Sequence, residues 1–274
     1  MAKQRLDSLL VELNLCTSRT LAQRLIQAGS VTVDGTVVDK VGTEVNALAQ
    51  IQVKQRSRFV SRGGEKLAKA ILAFNIHVEN RVCLDAGIST GGFTDCLLQS
   101  GAKLVYGVDV GYGQVDWKLR NDSKVILLER TNIRNLTPEN LYKEKSNINE
   151  LYADFIVVDV SFISVNKILS ALWQLTQAPR EMVLLVKPQF EVGKNRVGKK
   201  GVVRDPSDHA DAIYQVLQTA QNLGWCYRGL TWSPITGPAG NIEYLLWLAM
   251  EGEIPSPSLE VIGQLTQSAV DELR

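Results

Sequence analysis

The chain has 274 residues, 45% of them hydrophobic, and a formal net charge of +1. That is long enough for one large domain and a small one, each with a buried core. The cysteines at 16, 83, 96 and 226 form no C-x-x-C pair and only His77 and His209 could join them, so neither a disulfide frame nor a zinc site is supported, and no metal is expected. The first residues lack the apolar run of a secretory leader, and no window reaches the roughly 18 apolar residues of a membrane helix; a cytoplasmic protein is expected.

The head of the chain is basic: residues 1–66 carry ten Lys/Arg and six Asp/Glu, a net +4 against −3 for the remainder. A basic head on a slightly acidic body suits a polyanionic partner. Apolar residues at 6, 9, 10 and 13 predict a helix over 5–15, and Ser18 caps a second over 19–28 that closes at Gly29. Val31-Thr32-Val33, the turn Asp34-Gly35 and Thr36-Val37-Val38 predict a tight hairpin, followed by a strand at 51–53. Arg5, Arg19, Arg24 and Lys40 are the candidate phosphate contacts of this region.

The same stretch resembles the small RNA-binding module named after a ribosomal small-subunit protein. The likeness lies in its Arg-Leu-Asp opening, the Thr17-Ser18-Arg19 step, Leu25-Ile26-Gln27-Ala28-Gly29 and Val33-Asp34-Gly35. We therefore expect an RNA-binding α+β domain over 1–54. Residues 55–64, basic and glycine-ended, read as a linker in which Arg58 and Arg62 could meet RNA.

From residue 65 the pattern changes. An amphipathic helix leads into a short apolar strand at 81–84, and a run of small residues follows, Asp85-Ala86-Gly87-Ile88-Ser89-Thr90-Gly91-Gly92, opening a helix at Phe93. A second strand, 103–109, ends in Asp109. Further apolar runs at 125–128, 155–159 and 182–187 alternate with helical segments at 165–175 and 208–223. Strands near 227–232 and 243–248 and a helix from Ser258 complete the chain. This is the signature of an α/β domain over 65–274 with a mostly parallel, doubly wound sheet.

Glycines at a strand-to-helix turn let backbone approach a ligand beside unpaired helix N–H groups, and three ligand chemistries compete for the loop. A dinucleotide would want G-x-G-x-x-G, but the spacing from Gly87 is G-x-x-x-G-G. Gly87-Ile88-Ser89-Thr90-Gly91 spells a hydrolase elbow, with His209 as a base, yet it ends the first strand of its domain and is followed by a ribose-type acid. S-adenosylmethionine needs an open loop, a strand-tip acid and no pyrophosphate cradle, which this segment offers. In a parallel sheet the ligand lies beyond the carboxyl ends of the strands, so Asp85, Asp109, Asp159 and Lys187 should face one crevice.

At this point the body resembles the FtsJ-type ribose methyltransferases, with a Rossmann-like fold. Head and body together resemble the TlyA family of bacterial ribosomal-RNA 2′-O-methyltransferases, some of them labelled hemolysins. The resemblance rests on Ser61-Arg62-Gly63-Gly64-Glu65-Lys66-Leu67, the 85–95 loop, Val158-Asp159-Val160-Ser161-Phe162, Val186-Lys187-Pro188-Gln189-Phe190-Glu191 and Gly237-Pro238-Ala239-Gly240-Asn241-Ile242-Glu243. It implies a catalytic Lys-Asp-Lys-Glu set at Lys66, Asp159, Lys187 and Glu243. It implies S-adenosylmethionine contacts at Asp85, Gly87, Ser89, Gly91, Gly92, Phe93 and Asp109, with Thr131 and Asn132 near the adenine. The implied substrate is a cytidine ribose in 23S ribosomal RNA within ribosomal subunits, with 16S RNA as a second target. Ser57-Arg58-Phe59-Val60 departs from the family pattern.

Methyl transfer to a hydroxyl needs orientation of that hydroxyl and removal of its proton, for which Lys187 is the candidate. An ordinary lysine is protonated at neutral pH, so whether Lys187 abstracts the proton or steers the oxygen stays open here. Gly193 to Lys200 nearly spells a P-loop, but Lys200 stands where Ser or Thr would hold magnesium. Lys194, Arg196, Lys199 and Lys200 instead suit a loop that clamps RNA phosphates. Two rival readings remain, a membrane-lytic protein and an RNA-binding module without catalysis; the first lacks an insertion segment, and the four intact ionisable residues speak against the second.

Overall fold

The protein is described by a computed structural model covering residues 3–54, 58–143 and 152–274, in which the chain divides into two compact units, 1–57 and 58–274. The small unit contains β1 (Lys3–Arg5), α1 (Leu6–Glu12), α2 (Arg19–Gln27), β2 (Val31–Val33), β3 (Thr36–Val37), β4 (Glu44–Asn46) and β5 (Ile51–Val53). Its helices bury Leu6, Leu9, Leu10, Ala22 and Ile26 against Val31 and Val45, at about 2 kcal/mol for each fully buried aliphatic side chain. The Ser18 hydroxyl accepts from the Leu21 amide and caps α2 as expected. Asp34 and Gly35 both take positive φ, the geometry of a tight hairpin turn, and β2 pairs with β3 and β5.

The first helix is shorter than the 5–15 pattern suggested. Residues 3–5 instead pair antiparallel with 44–46, and Asn14, left-handed at φ 56°, ends the helix beyond Glu12. Nothing local in Lys3-Gln4-Arg5 announces a strand; its partner lies about forty residues away.

The large unit contains α3 (Gly63–Phe74), β6 (Val82–Ala86), α4 (Gly92–Gln99), β7 (Leu104–Val108), α5 (Trp117–Arg120), β8 (Val125–Leu128), α6 (Pro138–Leu141), β9 (Phe155–Val158), α7 (Leu169–Gln174), β10 (Glu181–Val186), α8 (Pro188–Glu191), α9 (Pro206–Asn222), β11 (Cys226–Trp232), β12 (Tyr244–Ala249) and α10 (Leu259–Leu273). Among the described residues these strands form one sheet in the order β11-β12-β10-β9-β6-β7-β8. Strands β6 to β10 run parallel, and β12 is antiparallel to β10 and β11. Alternate residues feed opposite faces: Leu84, Ile156 and Leu184 join the core under α7, α9 and α10, while Cys83, Val157 and Leu185 pack against Leu67 of α3 and Phe93 and Leu97 of α4. The expected mostly parallel, doubly wound Rossmann-like sheet is what forms.

Two details differ. Residues 55–57 of the expected 55–64 linker lie outside the described residues, but 58–64 belong to the large unit: Phe59 is buried, the Val60 amide donates to Asp95 Oδ2 at 2.8 Å, and α3 starts at Gly63. The expected 165–175 helix is a tight turn at 165–167 followed by α7. The carboxylate of Glu191 accepts from the Ser164 hydroxyl and the Val165 amide and holds that turn. The chain runs outward from β6 to β8, then returns to lay β9 and β10 on the other side of β6. This reversal opens a crevice at the carboxyl ends of β6 and β9, where ligands of such sheets bind.

Candidate active site

Two cavities of about 470 Å³ each meet at this crevice, sharing Gly87, Ser89 and Asp159 in their walls. Gly87 follows β6 with φ +91°, and a Cβ there would lie 2.8 Å from the Asp159 carbonyl, so only glycine lets the two loops touch. At Gly92 a Cβ would press on the Gly64 amide at 2.9 Å, which seats α4 against the start of α3.

Asp109, just past β7, lines one cavity with Thr131 and Asn132. Its Oδ2 accepts from the Ser89 amide at 2.8 Å and its Oδ1 from the Gly111 amide at 2.7 Å. These bonds fix the carboxylate while leaving lone pairs for a ribose diol. No Lys or Arg lines this cavity among the described residues, in keeping with a nucleoside rather than a pyrophosphate. Gly92 and Phe93 line the other cavity. Asp85 and Gly91 line neither. Gly91 caps α4, and Asp85 is fully buried beneath the loop.

Asp85 Oδ2 accepts from the Thr94 hydroxyl at 2.7 Å, but Oδ1 is buried with no partner. Burial pushes this carboxyl up to about 7, opposed by the Thr94 bond and reinforced by the negative charge of Asp159. An orphaned acid under the loop is what an ammonium would satisfy, directly or through water. With the diol-ready Asp109, the donor set fits S-adenosylmethionine, whose methionine end carries that ammonium.

The four ionisable residues of the expected catalytic set do come together, in one chain of contacts. Glu243 Oε2 accepts from Lys66 Nζ at 2.5 Å, Lys66 Nζ lies 3.9 Å from Asp159 Oδ2, and Asp159 Oδ1 lies 2.6 Å from Lys187 Nζ. Lys66 comes from α3, Asp159 follows β9, Lys187 follows β10 and Glu243 precedes β12, so four separate elements converge. Lys66, Lys187 and Glu243 are almost fully buried, which two cations tolerate only because two carboxylates alternate with them. Lys187 also donates to the Ser161 hydroxyl at 2.8 Å. An ammonium has three hydrogens, so two are engaged and one is left for an incoming oxygen. Ser161 belongs to the Val158–Phe162 motif, but its contact with Lys187, 26 residues away, has no local signal in the sequence.

Beside Lys187 a further cavity of about 530 Å³ is walled by Phe162, Phe190, Lys167 and Lys194. Phe162 is 93% exposed, takes φ +66° and tilts against Phe190 at 5.5 Å between ring centroids. Such a backbone conformation costs on the order of 1 kcal/mol and persists where surrounding structure imposes it. An exposed ring held this way suits stacking on a nucleobase.

The candidate RNA contacts divide into free and engaged groups. Asp7 is fully buried and accepts from Arg5 at 3.0 and 3.1 Å, Arg19 at 2.9 Å and Gln23 at 3.0 Å, so Arg5 and Arg19 help build the small unit. Arg24 and Lys40 are exposed and form no salt bridge among the described residues. Arg58 stacks over Phe59, and Arg62 donates to the Thr236 carbonyl at 3.1 Å at the rim of the first cavity. Lys194, Lys199 and Lys200 are exposed, whereas Arg196 is held by Asp208 and Asp211. His209, weighed as a hydrolase base, is buried with its ring nitrogens on Tyr244 Oη and the Val203 carbonyl, and burial keeps it below its ordinary pKa.

Comparison with known proteins identifies the families of the two units. The FtsJ-like methyltransferase family matches residues 59–250 and the S4 domain residues 4–51. The chain is 47% identical over 249 residues, 90% of each chain, to the 16S/23S rRNA (cytidine-2′-O)-methyltransferase TlyA of Mycobacterium tuberculosis. It is 41% identical over 241 residues, 88% of this chain and 98% of the relative, to Hemolysin A of Brachyspira hyodysenteriae. A solved structure described as a "putative hemolysin from Streptococcus thermophilus" shares 40% identity and a TM-score of 0.72 over 99% of this chain and 97% of that one. No helix among the described residues is long and apolar enough to cross a membrane. The match over most of the large unit, in which Asp159 and Lys187 meet Lys66 and Glu243, makes this chain a member of the FtsJ-like methyltransferases, with an S4 domain ahead of the catalytic unit.

Proposed function

We propose that the protein transfers the methyl group of S-adenosylmethionine to the 2′-hydroxyl of a cytidine ribose in ribosomal RNA, acting on ribosomal subunits in the cytoplasm. The observation that carries the chemistry is the buried Glu243–Lys66–Asp159–Lys187 array, at a crevice whose other wall holds Asp109. The name of the Mycobacterium tuberculosis relative supports the cytidine and both subunit RNAs, and the S4 domain supports RNA binding.

S-adenosylmethionine supplies a methyl on a sulfonium, a leaving group that departs as a neutral thioether. Asp109 would hold its ribose diol, Thr131 and Asn132 would flank its adenine, and the Gly87–Gly92 loop would keep side chains clear of it. The acceptor hydroxyl docks on the remaining hydrogen of Lys187, which orients its oxygen for attack. The cofactor would supply the methyl and keep the sulfur–carbon electrons on sulfur, and the proton of the hydroxyl would pass to the Asp159 carboxylate, the member of the Lys187–Asp159 pair with free lone pairs. Glu243 and Lys66 hold Asp159 in register from the other side. Arg24, Lys40, Lys194, Lys199 and Lys200 contact phosphates.

Incubating the protein with methyl-labelled S-adenosylmethionine and each purified ribosomal subunit, then mapping ribose methylation, tests the reading. Label on the 2′-oxygen of one or two defined cytidines is expected. Label on bases, on protein, or on nothing would refute it.

A further inference from the structure

Helix α8 is a single turn, Pro188–Glu191, with Lys187 as its N-terminal cap. A helix that short has no stability of its own in water, so its orientation, and with it the direction in which Lys187 leaves β10, is set by what it touches. The loop that follows β9 touches it at both ends. At the first, Lys187 Nζ meets Asp159 Oδ1 at 2.6 Å and the Ser161 hydroxyl at 2.8 Å. At the second, the Glu191 carboxylate accepts from the Ser164 hydroxyl at 2.6 Å and from the Val165 amide at 3.0 Å, one bond to each oxygen. Ser164 in turn accepts from the Asn166 amide at 3.3 Å, which stiffens the turn that Glu191 grips. Burial raises the Glu191 carboxyl above its ordinary value, and only the two hydrogen bonds from that loop oppose the shift. Holding a carboxylate partly out of water costs more than an apolar side chain of the same size would; the return is a two-point grip on the loop that carries Asp159.

From this arrangement we infer that Glu191 is a positioning residue for the methyl transfer: by tying α8 to the loop after β9, it holds Lys187 Nζ against Asp159 and Ser161 so that the third ammonium hydrogen faces the acceptor hydroxyl. The inference rests on the reading of this crevice as a ribose methyltransferase site and adds what keeps the Lys187–Asp159 pair aligned. Without the second attachment, α8 is joined to the loop only through the flexible Lys187 side chain itself. A displacement on the order of 1 Å at a reacting group costs up to about 100-fold in rate. Glu191 lines none of the three cavities described above, so its effect reaches the reaction through Lys187 and not by contact with cofactor or RNA. Phe162 lies on the same loop, and a grip that served base stacking instead would show in the affinity for the subunit rather than in the rate.

The test compares the full-length wild type with Glu191→Gln, Glu191→Leu and Ser164→Ala on the ribosomal subunit that wild type modifies. It reads the single-turnover rate at saturating subunit, the subunit concentration that gives half of it, S-adenosylmethionine affinity and melting temperature. Glutamine keeps both contacts, its Oε1 accepting from the Val165 amide and its Nε2 donating to the Ser164 hydroxyl oxygen, so its rate should stay within about threefold of wild type. Glu191→Leu should lower the rate by roughly 10–100-fold. Ser164→Ala removes one bond from the opposite side and leaves α8 untouched, so it should lower the rate about 3–10-fold and carries the test where Glu191→Leu fails to fold. Half-saturation and cofactor affinity should stay near the wild-type values in all three. An unchanged rate in Ser164→Ala or in a folded Glu191→Leu, a loss confined to subunit affinity, or a fall in Glu191→Gln as deep as in Glu191→Leu would overturn the inference. Wild type that methylates neither subunit would instead bring down the underlying ribose methyltransferase reading and the inference with it.

Discussion

Asp7 in the small unit and Asp85 in the large one are both fully buried carboxylates, yet their surroundings are opposite. Asp7 is met by two guanidinium groups and an amide, and the Arg5 guanidinium, with Gln23 and Arg19, holds its carboxyl well below the usual carboxylate range. Asp85 has a single hydroxyl on one oxygen and nothing on the other, and burial lifts it to about 7. A buried charge with its full set of partners is a structural rivet; one left short marks where a ligand is due. The same distinction sorts the cations, since Arg5, Arg19 and Arg196 are committed to carboxylates while Lys187 retains an open donor position.

Breaking the shared array of the large unit should have the greatest effect. Lys66→Met leaves Glu243 and Asp159 without the cation between them, and single-turnover methylation should fall by roughly 100- to 1,000-fold with S-adenosylmethionine affinity within a few-fold by calorimetry. A rate within threefold of wild type would remove Lys66 from the array's work.

The two aspartates should also give opposite pH slopes, readable by following the unfolding of each unit separately. Asp85 is raised in the folded state, so its contribution to stability is fully present below the unfolded value near 3.8 and is lost as pH rises through about 7. Asp7 is lowered, so its contribution is present above the unfolded value and fades as the solution is acidified below about 4. Asp85→Asn should flatten the large unit's slope between pH 4 and 7. Asp7→Ala should weaken the small unit by about 2 kcal/mol at neutral pH and remove its acid sensitivity. Parallel slopes in the two units would contradict the contrast drawn between them.

Smaller effects should follow from the cations. Arg24→Ala combined with Lys40→Ala should raise KM for ribosomal subunits about tenfold with kcat nearly unchanged, and should reduce the salt dependence of binding by about one to two counterions. Arg196→Ala should change KM by less than twofold, because that guanidinium already faces Asp208 and Asp211. Equal effects from the two would show that pairing in the free protein does not decide which cations meet RNA.

Much of this architecture was legible before any coordinates. The strand-end positions of Asp109, Asp159 and Lys187 followed from apolar runs of strand length, and their shared crevice from the rule that parallel strands deliver their carboxyl ends to one side. The Asp34-Gly35 hairpin and the Ser18 cap are local chemistry, so they too were readable. What stayed hidden depends on distant partners. The pairing of 3–5 with 44–46 has no local pattern, and the burial of Phe59 could not be told from a basic, glycine-ended linker. Nor does an arginine's sequence neighbourhood say whether Asp7 or a phosphate will hold it. Ser161, Thr94 and Phe162 were likewise invisible in function, because their roles come from facing Lys187, from lying under the loop beside Asp85, and from a strained, exposed backbone.

The central claim is that the amine at position 187 serves the reacting hydroxyl rather than the cofactor or the fold. Lys187→Ala, examined by single-turnover methylation of the ribosomal subunit that wild type modifies, with S-adenosylmethionine affinity and melting temperature measured on the same preparation, reads this directly. The account predicts no detectable 2′-O-methylcytidine, with cofactor affinity within a few-fold and the fold retained. Turnover surviving within tenfold of wild type in a folded, cofactor-competent variant would contradict it.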